Sequence, residues 1–193
     1  MANPWDPLPL PLTADTSQSI LFEVLGRTLD RWEYTEIGLS IMYCLFVGDP
    51  TFEKMREYGE GRIFRERQAI LRRAADKWFT KHPNQNEEGE FDKLMEAATG
   101  FAARRNEIAH GVVMNVQGVH FWQEKLRLAS PNAPHFLIVP SIHTIRKHDS
   151  TGMPVYGYAS QQVEYLYNQI AKLEVAVDSF KRRLWPNNWP TVR

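Results

Sequence analysis

The chain has 193 residues, a length that fits one domain with extensions. Lys plus Arg and Asp plus Glu both number 23, so the net charge gives no pull toward nucleic acid, and any such contact must rest on a local patch. Hydrophobic residues make up 43% and charged residues 24%, which is typical of a soluble globular protein with a substantial core.

The cysteine content and the absence of long apolar runs indicate where in the cell the protein is found. Cys44 is the only cysteine, so no intrachain disulfide can form and a reducing cytosol fits best. The first residues lack the basic region and apolar core of a signal peptide, and no apolar run reaches the ~18 residues that a membrane span needs. We therefore expect a cytoplasmic protein with no membrane partner.

The histidines and short motifs of the chain indicate no ligand site. The six histidines, at positions 82, 110, 120, 135, 143 and 148, show no zinc-site spacing. The chain also has no Gly-rich phosphate loop, no GxSxG and no HExxH. The sequence thus predicts a protein without a metal or another cofactor.

Residues 1–14 contain four prolines, which fix φ and remove backbone donors, and so predict an extended arm. Trp5 and the leucines that follow offer apolar side chains for docking, against the bundle or a second subunit. A frayed chain end is the alternative.

A first long helix is predicted after this arm, because no proline occurs between Leu12 and Asp49. Asp15, Thr16 and Ser17 are candidate caps for its start. Its apolar stripe follows a spacing of three or four residues: Leu21, Val24, Leu25, Thr28, Leu29, Trp32, Glu36, Leu39, Met42, Tyr43 and Phe46. Glu36 is the carboxylate on that stripe, and inward carboxylates usually have a partner.

Two further helical runs are predicted between Pro50 and His82, a short one that Gly59 and Gly61 interrupt and a longer one from Ile63 through Trp78. Four arginines there could form a basic face for RNA phosphates: Arg62, Arg65, Arg72 and Arg73. A merely solvated charged face is the alternative.

The fourth helix follows the loop at residues 82–86 and is predicted to run to His110, with Gly111 as its stop. Arg105 lies on its apolar stripe, where a charged group needs a partner or a cavity. Glu36 is the candidate partner, either in a structural ion pair or orienting a functional arginine. Asn106 and His110 are four residues apart and share a face, whereas Arg105 and His110 lie about 140° apart around the helix. These last two could converge only across a groove or with help from another chain.

Residues 112–158 have a different character. Gln117-Gly118 between two apolar runs, residues 112–116 and 119–122, predicts a hairpin, and residues 136–139 predict another short strand. Ser160 is the candidate cap of a final helix with a clean apolar stripe, and residues 186–193 form a tail with tryptophan to dock. The chain is thus predicted to be mainly α: a single domain, 1–193, built as an antiparallel bundle of four to five helices with a small β or loop insertion before the last helix.

Arg105-Asn106, three residues and then His110 match the Arg-x(4–6)-His signature of the HEPN superfamily, with a polar residue after the arginine. The segment from Trp32 to Ser40 also resembles the first long helix of bacterial HEPN-like proteins. The resemblance covers roughly the first 112 residues and, more loosely, the last helix.

This resemblance implies a helical bundle and, for many members, a metal-independent endoribonuclease of toxin–antitoxin or phage-defence systems, with its site at a homodimer interface. RNA would be the substrate and an antitoxin a possible partner. Arg105, Asn106 and His110 would be catalytic, with Glu36 and Arg67 in support. The alternative is a non-catalytic helical module, such as an antitoxin, a nucleotide-binding accessory or a scaffold, because a fold does not establish an activity.

Overall fold

A computed structural model describes residues 3–127 and 133–184, so the predicted tail at residues 186–193 lies outside the described residues. Within these ranges the helices are α1 (Gln18–Phe46), α2 (Met55–Gly59), α3 (Phe64–Lys81), α4 (Gln85–Ala109), α5 (His120–Lys125) and α6 (Ser160–Leu184), with a 3-10 turn at Ile145–Lys147. The strands are β1 (Gly111–Asn115) and β2 (Phe136–Pro140). The prediction of a mainly α chain with a small β element before the last helix is confirmed. No helix in the described part of the chain is long and apolar enough to cross a membrane.

The chain divides into two compact units, and each of the three longest helices contributes residues to both. The first unit comprises Met1–Arg31 and Ala103–Gln169, and the second comprises Trp32–Ala102 and Ile170–Arg193. The predicted insertion therefore belongs to the first unit, together with the end of α4 and the start of α6.

The second unit is held by aromatic rings from four helices. Phe46 of α1 meets Phe79 of α3 at 5.7 Å between ring centroids and Phe91 of α4 at 5.3 Å, and Phe91 lies 6.2 Å from Phe180 of α6. Edge and tilted ring pairs of this kind add to the burial of apolar area. Trp32 in the middle of α1 contacts Phe64 at the start of α3, and Phe46 at the end of α1 contacts Phe79 near the end of α3. Later positions of α1 thus meet later positions of α3, so the two helices run in the same direction.

The direction of α4 follows from its contacts with α3. Gln68 Nε2 donates to Thr99 Oγ1 over 2.7 Å, and one turn later Arg72 contacts Asp92 at 2.6 Å. Rising positions of α3 thus meet falling positions of α4, and the two helices are antiparallel.

The helix α1 buries the predicted stripe, including Leu21, Trp32, Glu36 and Leu39. Of the three candidate caps of α1, Ser17 is confirmed, because its Oγ accepts from the backbone N of Ser19 over 3.3 Å. Asp15 caps a different helix. The Asp15 carboxylate accepts from the backbone N and the Oγ of Ser160, at 2.7 and 2.5 Å, and so caps α6. Asp15 is held there by backbone bonds with Phe136 in both directions, which add the arm to the edge of the sheet.

In the first unit β1 and β2 pair antiparallel, with Val113 opposite Ile138. The predicted hairpin is therefore wrong in its second strand, because residues 120–125 form α5. A turn from Val116 to Val119 leads into this helix, and Trp122, 1% exposed, packs in a cluster with Leu137 and Val139. Burying this indole against the sheet favours the helix over a solvated second strand.

The Pro-rich arm is extended along the first unit. Gln162 Nε2 donates to the Pro9 carbonyl over 2.7 Å, and the backbone N of Arg127 donates to the Leu12 carbonyl over 2.6 Å. Leu8 and Leu10 pack against the two apolar clusters of this unit.

Candidate functional site

The last turn of α4 and the insertion enclose an open cavity of about 500 Å³. The residues that line it in the described part of the chain are Asn106, Glu107, His110, Val112, Ser141, His143, Thr144, Lys147 and Tyr156. All of them belong to the first unit. The cavity thus contains two of the three residues predicted to be catalytic.

Asn106 and His110 reach the cavity because α4 ends here. The backbone N of His110 donates to the Asn106 carbonyl over 3.1 Å, which is the last helical bond, and both side chains are exposed. The helix ends at Ala109, one residue before the predicted end at His110. Gly111 does not have the positive φ of a left-handed helix cap. A Cβ at Gly111 would lie 2.5 Å from Cγ2 of Ile138, so glycine allows β2 to approach.

His143 comes to the same cavity from the segment after β2. Its Nδ1 lies 2.8 Å from Ser141 Oγ, a hydrogen bond that restricts the orientation of the ring. The imidazole itself is exposed and lines the cavity together with His110. Two histidines that are 33 positions apart in the sequence therefore face one space.

Lys147, on the 3-10 turn, supplies a cation to the cavity wall. Its Nζ donates to Glu107 over 3.1 Å, and 42% of its side chain is exposed. The Glu107 carboxylate is 6% exposed and also contacts Arg104 at 2.7 Å. One carboxylate balances two cations, so this cluster keeps a net positive charge beside the cavity.

Two tyrosines complete the surroundings of Glu107. Tyr158 Oη donates to the carboxylate over 2.5 Å, and Tyr156 Oη donates to the Glu107 carbonyl over 3.1 Å. Burial raises the pKa of Tyr156 to about 12. Burial, followed by the hydrogen bond to Glu107, also raises the pKa of Tyr158. Both phenols thus remain donors over the neutral range and fix Glu107, which in turn positions Lys147.

Arg105, the third predicted catalytic residue, lies beside the cavity and is not part of its described lining. Its side chain is half-buried, and its Nη1 donates to Asn106 Oδ1 over 3.2 Å. Asn106 thus connects the arginine to the cavity. Arg104 was not predicted, although its spacing of three from Glu107 is typical of an ion pair within a helix.

Glu36 and Arg67, the two residues predicted to support the site, pair with each other in the second unit, and Glu36 does not pair with Arg105 as expected. Arg67 Nε lies 2.7 Å from Glu36 Oε2, and Trp32 Nε1 donates to Glu36 Oε1 over 2.8 Å. The carboxylate expected to meet Arg105 is thus held by Arg67. Arg67 Nη2 also donates to Glu36 Oε1 over 2.8 Å. This partly buried, bidentate ion pair fixes the register of α1 against α3.

The four arginines predicted to bind RNA also lie in the second unit. Arg62, Arg65 and Arg73 are exposed, and Arg72 pairs with Asp92 at 2.6 Å. Three of the four are therefore accessible to solvent, and one is engaged within the protein.

The sequence reasoning missed Ser141, His143, Lys147 and Glu107. The insertion histidines were considered only as metal ligands, and no three His, Cys, Asp or Glu side chains of the described ranges gather as such a group. The available signal was local: Ser141, His143 and Lys147 are polar residues that follow a buried strand. Residues at strand ends commonly carry function.

No family model, curated protein or solved structure matches this chain.

Proposed function

We propose that the protein is a metal-independent endoribonuclease that cleaves RNA by attack of a ribose 2′-hydroxyl on the adjacent phosphate. The observation that supports this proposal is the cavity in which His110, His143 and Lys147 meet beside Asn106. Two imidazoles and an ammonium group are the functional groups that this reaction requires.

In the proposed reaction one imidazole is neutral and accepts the proton of the 2′-hydroxyl. The 2′-oxygen then forms a bond to phosphorus, and the bond from phosphorus to the 5′-oxygen breaks. The second imidazole is protonated and donates its proton to this leaving oxygen. The products are a 2′,3′-cyclic phosphate and a free 5′-hydroxyl. Histidine suits both roles because imidazole titrates near neutral pH.

Lys147 is proposed to stabilise the negative charge on the phosphate oxygens in the transition state. Glu107 holds the ammonium group in place, while Arg104 supplies the second cation that leaves the cluster net positive. Asn106 would donate its amide to the phosphate, since its oxygen accepts from Arg105. Arg105 would thus act both by its charge and by orienting Asn106.

The resemblance to HEPN proteins supports a homodimer as the working form, an antitoxin as a possible partner and a role in toxin–antitoxin or phage-defence systems. The exposed arginines Arg62, Arg65 and Arg73 are proposed to bind RNA phosphates in the cytoplasm. Sedimentation over a range of concentrations tests the dimer. The salt dependence of RNA binding tests the arginines, because each lost phosphate contact lowers the slope by about 0.7 for a single strand.

The direct test is cleavage of an oligoribonucleotide with and without a chelator, followed by identification of the new ends. We expect cyclic phosphate ends, no effect of the chelator and no cleavage where a 2′-deoxy nucleotide precedes the phosphate. His110→Ala and His143→Ala should each lower the rate by about 10²–10⁴-fold, the usual contribution of a general acid or base.

His120→Ala is the matched control, because the His120 side chain is 85% exposed and lies outside the cavity lining. Equal rates in all three variants and the unmodified protein would sink the proposal. Binding of RNA without any cleavage would favour the non-catalytic module instead.

A further inference from the structure

A second cavity, of about 540 Å³, lies in the insertion and is predominantly apolar. The sheet contributes Val112, Met114 and Val139, and α5 contributes Phe121 and Trp122. The loop at residues 148–154 contributes His148, Gly152, Met153 and Pro154 to the lining. This volume lies within the range of small-molecule pockets, which is about 300–1,000 Å³.

The two cavities adjoin. Val112 on β1 and Ser141 just after β2 line both of them. A ligand seated among His110, His143 and Lys147 therefore has an apolar recess next to it, with Val112 and Ser141 on the shared boundary. Nucleotides combine the same two characters, because a charged phosphate is joined to a flat aromatic base whose faces stack on apolar surfaces.

The loop wall is fixed before any ligand binds. Asp149 accepts from the backbone N of Thr151 at 2.8 Å, from Thr151 Oγ1 at 2.6 Å and from the backbone N of Met153 at 3.0 Å. His148 and Pro154 form a β-bridge across the base of the loop. A preformed pocket reduces the ordering cost of binding.

The pocket wall also offers a defined hydrogen-bond group. The Nδ1 of His148 lies 3.1 Å from the Thr144 carbonyl, and because a carbonyl only accepts, this nitrogen carries a proton. In the neutral ring Nε2 is then an acceptor. Because His148 lines the pocket, this acceptor is suited to the amino or imino N–H of a nucleobase bound there.

We propose that this apolar cavity binds the nucleobase of a nucleotide adjoining the scissile phosphate, with Phe121 as the stacking ring. This inference rests on the proposed ribonuclease function and adds to it a site for one base. The RNA segment at the site must then be single-stranded, because a base enters such a pocket only when it is unpaired.

The test measures binding and so does not require cleavage. The probe is a dinucleotide with one 2′-deoxy ribose before its phosphate, which removes the nucleophile. It is compared with two analogues that lack the 5′ or the 3′ base. We expect one of these abasic analogues to bind about 5- to 150-fold more weakly, the fold-change that corresponds to ~1–3 kcal/mol of base–aromatic stacking. The other should bind nearly as well as the parent.

Phe121→Ala should weaken the parent dinucleotide by a similar factor and leave the affected abasic analogue unchanged. Met153→Trp should also weaken the parent by filling the pocket. Val155→Trp is its matched control, since Val155 is 51% exposed and lies outside the pocket lining. Circular dichroism verifies that each variant is folded.

Equal affinity of the parent and both abasic analogues would overturn the base site, and cleavage of RNA by the same protein would show that the ribonuclease proposal stands without it. The opposite result, base-dependent binding with no cleavage of any RNA, would overturn the catalytic proposal and keep the pocket as a nucleotide site. Absence of binding by all three probes would overturn the base site, and the cleavage assay would then decide the ribonuclease proposal separately.

Discussion

The two units of the chain use buried ion pairs in different settings. In the second unit Glu36 pairs with Arg67 at 2.7 Å, and the aromatic rings of four helices pack around Phe46 and Phe91. In the first unit Glu107 pairs with Arg104 at 2.7 Å, but its other cation, Lys147, is 42% exposed on the wall of a cavity. The same pair chemistry therefore joins helices in one unit and presents a charge to solvent in the other.

This difference suggests where the chain can carry chemistry. A helix–helix contact satisfies its polar groups internally and leaves little space for a ligand. The end of α4, in contrast, meets an irregular segment whose Ser141, His143 and Lys147 line an open cavity. We infer that the helices of the second unit serve as the scaffold and that the insertion supplies half of the candidate site.

The largest effect is expected from Glu107→Ala, which tests whether this buried carboxylate organises the first unit. The change leaves Arg104, whose side chain is 11% exposed, without its partner. Removing one member of a buried ion pair costs about 3–5 kcal/mol, so the denaturant midpoint should fall strongly. RNA cleavage by the remaining folded protein should also fall, because Lys147 loses its anchor.

Glu124→Ala is the matched control, because Glu124 is a carboxylate of the same unit whose side chain is 65% exposed. We expect a change within about 0.5 kcal/mol for this surface site. If urea denaturation gives equal midpoints for the two variants, Glu107 does not organise the unit.

Phe46→Ala tests whether the second unit contributes to stability and not to cleavage. Truncating a buried phenylalanine typically costs about 3–5 kcal/mol, and Phe46 is 5% exposed among three other rings of the second unit. Thermal denaturation should show this loss, whereas Phe22→Ala, at a site 54% exposed, should show little. The cleavage rate per folded molecule should not change, because only residues of the first unit line the cavity. A large loss of specific activity in Phe46→Ala would contradict the division of roles.

The sequence predicted the helices well because helical periodicity is a local signal. The stripe from Leu21 to Phe46 needs only the spacing of neighbouring residues, and α1 buries it. Among the three candidate caps Ser17 does cap α1, but Asp15 does not, and the reason is a non-local contact. An aspartate just before a helix usually caps that helix, but Asp15 caps α6, whose first residue is 145 positions away.

The candidate site was only half predictable from the sequence. Asn106 and His110 lie four apart on one helix, so their shared face follows from helix geometry. His143 and Lys147 reach the same cavity through the pairing of β1 with β2. The sequence instead predicted a hairpin from residues 112–116 to 119–122, since local turn signals compete with non-local pairing. With the strands paired differently, the positions of these side chains could not be derived.

A smaller effect, on catalysis alone, is expected from Lys147→Gln. Loss of one preorganised charge at a developing oxyanion lowers the rate by about 10²–10³-fold. Arg146→Gln is the matched control, because Arg146 is an exposed cation on the same 3-10 turn and lies outside the cavity lining. Steady-state cleavage of an oligoribonucleotide compares them. Equal cleavage rates for the two variants would mean that Lys147 contributes no more than any other surface charge and does not stabilise the transition state.

The smallest effect is expected from Tyr158→Phe, which removes one donor to Glu107 and keeps the ion pairs. A hydrogen bond to a charged group contributes about 1.5–3 kcal/mol, so stability near pH 8 should fall by this amount. The sign of the pH dependence follows from the raised pKa of Tyr158. Because the folded chain holds this proton more tightly than the unfolded chain, the contribution is complete below the ordinary tyrosine pKa of about 10 and is lost as the pH rises above it. The gap between the urea midpoints of the two proteins should therefore be constant from pH 8 to about pH 10 and narrow from there to pH 11. A constant gap between them across this range would mean that the phenol stabilises the first unit by packing and not by its bond to Glu107.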